Sequence, residues 1–64
     1  MKVKVNTKEY QIANETTVRE LLDNLNYKNA AVIINGQKLL MSQYDNWELR
    51  ELDIIKIIRI LGGG

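Results

Sequence analysis

Three consecutive glycines, Gly62, Gly63 and Gly64, stand at the C-terminal end of the sequence, and we expect the last one to carry a free α-carboxylate. Because glycine has no Cβ atom, such a tail can lie extended in a narrow tunnel and bring its terminal carbon close to a nucleotide or a nucleophile. A carboxylate delivered in this way can be activated and transferred as an acyl group. A glycine-rich end can also be a frayed terminus without function. The other residues must decide between these two interpretations.

The side chains offer little alternative chemistry. The 64 residues include no Cys and no His, which removes thiolate nucleophiles, disulfides and the commonest general base and metal ligand. Glu20 and Asp23 are acidic, but they fall on the polar face of a predicted helix and not in a pocket. We therefore expect no catalytic residue and no metal site.

Charge and hydropathy exclude two further classes of function. Nine Lys and Arg against eight Asp and Glu give a net charge of +1, and the cations are spread along the chain, which argues against nucleic-acid binding. One Trp and three Tyr leave few rings to stack on bases. No run approaches the ~20 apolar residues of a membrane span. We expect a cytoplasmic protein that is monomeric when free and binds neither nucleic acid nor membrane.

The first half of the chain predicts a β-hairpin and a helix. Residues 1–5 alternate apolar and polar side chains, residues 6–8 interrupt the alternation, and residues 10–12 resume it. Thr17 and Glu20 then have the spacing of a capping box, so we expect a helix to begin there. The apolar stripe of that helix consists of Val18, Leu21, Leu22 and Leu25.

The second half predicts another hairpin and a central strand. Residues 30–34 form a short β-branched run that enters Asn35-Gly36, a dipeptide typical of a type I′ turn, and we interpret this pair as a turn and nothing more. Residues 37–40 would return as the next strand. Residues 41–51 show no period and predict a loop or a turn of 3₁₀ helix. Residues 54–61 have the high β propensity of a central strand.

This element order is that of the β-grasp. The fold class is α+β, with a mixed sheet, one helix packed on one face, and the first and last strands parallel at the centre. We divide the chain into a β-grasp domain, residues 1–61, and a flexible reactive glycine tail, residues 62–64.

The last strand also predicts an open sheet face. Period-2 alternation turns Ile55 and Ile57 toward the helix. The side chains predicted on the opposite face are Ile54, Lys56, Ile58 and Ile60, with Lys2 and Lys4 on the neighbouring strand. These isoleucines are either covered by the loop that carries Tyr44 and Trp47 or form a docking surface for an activating enzyme. The lysines either protect the sheet or contact an acidic partner. Trp47 is interpreted as a lid on the core.

Three segments carry a family resemblance: TVRELL at residues 17–22, AVIING at 31–36, and DIIKI at 53–57 followed by the terminal glycines. On these segments, and in length and strand order, the chain resembles the ubiquitin-like sulfur carrier family, most closely the ThiS carriers of thiamine biosynthesis. One departure concerns the turn before the last strand, where these carriers often have Asp-Gly-Asp and this chain has Glu51-Leu52-Asp53. Leucine adopts positive φ less readily than glycine, so we expect a different or slightly strained turn.

The resemblance implies that Gly64 is the modified residue. A ThiF-like adenylyltransferase would join its carboxylate to AMP from ATP, and a persulfide-bearing sulfur donor enzyme would then convert it to a thiocarboxylate. Thiazole synthase (ThiG-like) would receive the sulfur. The chain itself would be a carrier and not an enzyme, with no bound cofactor.

Three alternatives remain open. The small subunit of molybdopterin synthase (MoaD-like) uses the same terminus but is typically longer, so the length favours the ThiS carriers. A ubiquitin-like protein modifier would form isopeptide bonds through the same carboxylate. A β-grasp binding module would have an inert tail.

Overall fold

The computed structural model describes residues 1–60. Its elements are β1 (Lys2–Val5), β2 (Lys8–Gln11), α1 (Val18–Asn24), β3 (Ala30–Ile34), β4 (Gln37–Lys38), a 3₁₀ helix (Met41–Gln43) and β5 (Ile54–Arg59). The predicted glycine tail, and the predicted boundary between residues 61 and 62, lie outside the described residues.

The strands form one mixed sheet in the order β2-β1-β5-β3-β4. β1 and β5 are parallel, because α1 carries the chain across one face between the two hairpins, and the other neighbours are antiparallel. β5 is therefore a central strand, as the sequence predicted.

Both local turn signals are confirmed. Asn6 closes the first hairpin with φ of 57°, and Asn35 and Gly36 close the second with φ of 51° and 86°, the left-handed pair that a type I′ turn requires. β4 is shorter than the predicted 37–40. The Leu39 amide still donates to the Val32 carbonyl, and the 3₁₀ helix then begins at Met41.

The predicted capping box starts the helix. The Glu20 amide donates to Thr17 Oγ1 at 3.2 Å, and the Thr17 amide donates to Glu20 Oε1 at 2.9 Å. Val18, Leu21 and Leu22 are buried, whereas Leu25 at the C-cap is half-buried. Helix and sheet thus enclose the core between them.

The segment after β4 closes the core on the helix side. The Val18 amide donates to the Trp47 carbonyl, and the Arg19 amide donates to the Tyr44 carbonyl. The buried Tyr44 hydroxyl donates to the Ala30 carbonyl at 2.9 Å. Trp47 is half-buried against the core, as predicted for a lid. Because this segment lies beside the helix, it is on the opposite side of the sheet from the predicted open face.

Candidate functional site

The sheet face that points away from the helix is the candidate functional surface. Ile55 and Ile57 are 1% and 6% exposed, whereas Ile54, Ile58 and Ile60 are 58%, 45% and 46% exposed. The alternation of the strand explains this division, since successive side chains point to opposite faces. The suggestion that the loop bearing Tyr44 and Trp47 covers the three isoleucines is wrong. We call the uncovered surface the open face.

Lysines surround these isoleucines. Lys4 is paired with Ile54 in the parallel register of β1 and β5, and Lys2 lies on the same face by alternation. Lys56 and Lys38 are both paired with Ile33. All four lysines are exposed, so the predicted positions of Lys2, Lys4 and Lys56 are confirmed. Binding of a partner by these residues stays a prediction.

The balance of charge on the open face is positive. Glu9 is paired with Lys4 across the first hairpin, and it is the acidic residue that the strand register brings to this face. Across residues 1–60 the sole ion pair is Arg19–Asp45, at 3.0 Å, so no lysine of the open face is neutralised by a carboxylate there. A basic border of this kind favours a partner surface with acidic groups around an apolar centre.

Sequence reasoning missed the part of the apolar surface contributed by residues around β4. Leu40 and Met41 are 67% and 54% exposed. Leu40 has an extended backbone with φ of −81° and ψ of 147°, so it follows Lys38 onto the open face, while Leu39 between them is buried. The available signal was the antiparallel register after the Asn-Gly turn, which pairs residue 40 with residue 31, next to Ile58.

The turn before β5 is fixed by side chains of the second hairpin. Asn35 Nδ2 donates to Asp53 Oδ1 at 3.0 Å, and Asn35 Oδ1 accepts from the Ile54 amide at 2.9 Å. Asp53 is buried, and its other oxygen accepts from the Arg50 amide at 2.8 Å. The interpretation of Asn35-Gly36 as a turn and nothing more is therefore wrong. Asn35 also ties the start of β5 to the turn of the second hairpin.

Leu52 adopts the left-handed conformation predicted to strain this turn. Its φ is 68°, and its side chain is 69% exposed. The Leu52 amide donates to the Lys2 carbonyl at 2.7 Å, and the Lys2 amide donates to Glu51 Oε1 at 3.0 Å. These bonds hold the turn against the start of β1.

The residues predicted to react, Gly64 with Gly62 and Gly63 before it, lie outside the described residues. Within residues 1–60, no three His, Cys, Asp or Glu side chains are grouped in a way that could hold a metal ion. The same part of the chain has no helix with the length and apolar character to cross a membrane.

Comparison with known proteins identifies a family and a solved structure that are similar to this chain. The model of the ThiS family matches residues 3–64. A crystal structure of the thiamine biosynthesis protein ThiS from Geobacter metallireducens matches with a TM-score of 0.83 and 28% identity, over 100% of this chain and 100% of that chain. No curated protein sequence matches. The structural match confirms the predicted β-grasp fold.

Proposed function

The chain belongs to the ThiS family, and we propose that it is a sulfur carrier of thiamine biosynthesis whose Gly64 carboxylate is converted to a thiocarboxylate. The observation that carries this proposal is the family match, which continues through the glycines to residue 64. A chain without Cys and His suits a carrier that is acted on by other enzymes. The similarity to a thiamine biosynthesis protein favours thiazole formation over molybdopterin synthesis.

The proposed chemistry has three steps. In the first, a carboxylate oxygen of Gly64 attacks the α-phosphorus of ATP on a ThiF-like adenylyltransferase, and pyrophosphate leaves. In the second, the terminal sulfur of an enzyme persulfide attacks the acyl carbon and AMP leaves. A thiol then reduces the resulting acyl disulfide, which releases the thiocarboxylate and leaves a disulfide behind. Activation is needed because an unmodified carboxylate has no good leaving group.

The open face is proposed as the surface that docks on these partners. Its apolar part includes Ile54, Ile58 and Ile60, and its cations are Lys2, Lys4, Lys38 and Lys56. A second copy of the chain would place lysines opposite lysines, which is unfavourable. A different protein with an acidic rim is the better fit, and this supports the adenylyltransferase and a ThiG-like thiazole synthase as successive occupants.

Removal of Gly64 tests the reactive residue directly. The deletion moves the carboxylate back by ~3.5 Å, one extended residue, which is as large as the distance between reacting atoms in a productive complex. We expect adenylation, measured by ATP–pyrophosphate exchange with the cognate adenylyltransferase, to be nearly lost. A variant with one alanine added after Gly64 should fail as well, because it shifts the carboxylate forward and adds a Cβ. Exchange near the parent rate in either variant contradicts the proposal.

Mass spectrometry separates the remaining functions. After incubation with ATP, the adenylyltransferase and a persulfide donor, replacement of one oxygen by sulfur identifies a carrier. An adduct on a lysine of another protein identifies a modifier, and an unchanged mass identifies an inert binding module. Transfer of the sulfur to thiazole synthase, compared with the large subunit of molybdopterin synthase, then distinguishes the two pathways.

A further inference from the structure

A cation at the end of β5 lies on the other side of the sheet from the open face. Arg59 is the last residue of β5, and its alternation with Ile58 turns it to the helix side. The central carbon of its guanidinium is 5.0 Å from the centre of the Tyr27 ring, a distance typical of a cation–π contact. Tyr27 is half-buried against the core, so the contact holds the arginine over a fixed ring.

The surroundings of Arg59 are basic. An open groove of about 300 Å³ at the end of β5 is lined by Asn26, Lys28, Asn29 and Arg59, together with Ile60, which it shares with the open face. Both charged members of this set are cations. Neither takes part in an ion pair with another residue of the described part of the chain. We call Tyr27, Lys28 and Arg59 the basic corner.

The stacked arginine keeps the donors that recognise a carboxylate. A cation–π contact uses the flat face of the guanidinium, while its N–H groups lie in the plane of the group. Those N–H groups match the two oxygens of a carboxylate in a bidentate pair. Because the Tyr27 ring limits the rotamers of Arg59, less side-chain entropy is lost when such a pair forms.

The basic corner stands where a partner must approach. The Ile60 amide donates to the Asn29 carbonyl at 3.2 Å, which ties the chain after β5 to the corner. Gly64 follows Arg59 by 64 − 59 = 5 residues, at most roughly 17 Å of extended chain. A tunnel about as deep as this length, with Gly64 at its far end, has its rim beside Arg59. The nucleotide at the far end of an extended tail lies beyond the reach of this side chain.

We propose, on the basis of the function proposed above, that the basic corner binds carboxylates on the rim of the tunnel that receives the glycine tail. The open face and the basic corner then contact the adenylyltransferase on opposite sides of the sheet. The basic corner acts as a specificity determinant, because a partner without acidic groups at that position cannot form the ion pairs with Lys28 and Arg59.

Charge reversal with a matched control tests this contact. Arg59→Glu is compared with Arg50→Glu, which makes the same change at an exposed position near the opposite end of β5. With the carrier as the varied substrate of the cognate adenylyltransferase, we expect Arg59→Glu to raise KM about tenfold at ~0.05 M salt with kcat within about twofold, because rim charges act mainly on association. At ~0.5 M salt the difference should shrink as the charges are screened. Arg50→Glu should change KM less than about twofold.

Two conservative variants sharpen the test. Arg59→Lys keeps the charge and should retain most of the parent affinity. Tyr27→Leu removes the ring and should raise KM by a smaller, salt-sensitive factor. Tyr27→Phe keeps the ring and should return KM to the parent value. A parent-like KM for Arg59→Glu overturns the proposal. The proposal is also overturned if Arg59→Glu raises the KM for ATP and leaves the KM for the carrier unchanged, because that result indicates contact with the nucleotide. Failure of the parent chain to be adenylated overturns the proposed function itself, and this outcome is distinct from the other two.

Discussion

Ile57 and Ile58 are adjacent residues of the same type in one strand, yet they belong to two different surfaces. Ile57 is 6% exposed beneath the helix, and Ile58 is 45% exposed on the open face. The isoleucines of β5 therefore cannot be assigned a role from composition or β propensity. Their side of the sheet decides whether they support the fold or remain available to a partner, and mutations on the two sides should have separable effects.

The largest effect is expected on the buried side. Ile57→Asp places a carboxylate between sheet and helix, where its desolvation costs several kcal/mol against a net stability of roughly 5 kcal/mol for a domain of this size. We expect the variant to be unfolded at 25 °C by circular dichroism. Ile57→Val is the control and should remain folded with a loss of about 1 kcal/mol. A folded Ile57→Asp protein contradicts the assignment of the two faces.

A second, intermediate effect is expected at Asn35, which bonds to the start of β5. Asn35→Ala removes the side-chain bonds to Asp53 and the Ile54 amide and places alanine at positive φ. We expect a loss of about 2–3 kcal/mol in urea unfolding, because a buried carboxylate and a backbone donor lose partners. Asn35→Gly keeps the backbone conformation accessible, so its loss should be smaller and should isolate the side-chain contribution. An Asn35→Gly protein as stable as the parent indicates that the amide contributes nothing beyond its backbone preference.

Substitutions on the open face should weaken binding to the adenylyltransferase more than they reduce the stability of the fold. Ile58→Asp should cost less than about 1 kcal/mol of stability, since the side chain remains in contact with water. The KM of the adenylyltransferase for the carrier should rise about tenfold, because a charge enters the apolar centre of the proposed docking surface. Ile58→Val preserves apolar character and should bind nearly as the parent does. Unfolding of Ile58→Asp, or unchanged binding, removes the distinction between the two faces.

The fold was predictable because several local signals agree. Alternation in residues 1–5, the Thr17–Glu20 capping box, the Asn35-Gly36 turn and the apolar run of β5 each specify one element, and a short chain leaves few ways to assemble them. The orientation of Ile54 and Ile57 followed from the period of a strand. The family resemblance rested on the same segments and is confirmed by the family match.

The parts of the site that were not predicted depend on contacts across the fold. Asn35 bonds to Asp53, 18 residues away, and Arg59 stacks on Tyr27, which lies in the loop between α1 and β3; neither pair has a sequence spacing that identifies it. Leu40 was missed because the register of the predicted strand 37–40 was not used to assign its side chains to a face of the sheet. Whether the open face binds a partner stays a prediction, since that property depends on a second surface.

The smallest predicted effect concerns Leu52, where stability and binding should change in opposite directions. Leu52 has φ of 68°, a conformation that costs an L residue roughly 1–2 kcal/mol and glycine nothing. Leu52→Gly removes this strain but makes the unfolded chain more flexible, so we expect a net gain of about 0.5–1 kcal/mol. For a domain of this size the gain corresponds to roughly 3–6 °C in melting temperature. Leu52→Ala retains positive φ and should show no such gain.

The exposed leucine lines a shallow groove with Lys2, Lys4 and Ile54, so its removal should also raise the KM of the adenylyltransferase for the carrier by about two- to threefold. A Leu52→Gly protein that is more stable and binds less well shows that this strained residue is retained for the open face; greater stability with unchanged binding places Leu52 outside that surface.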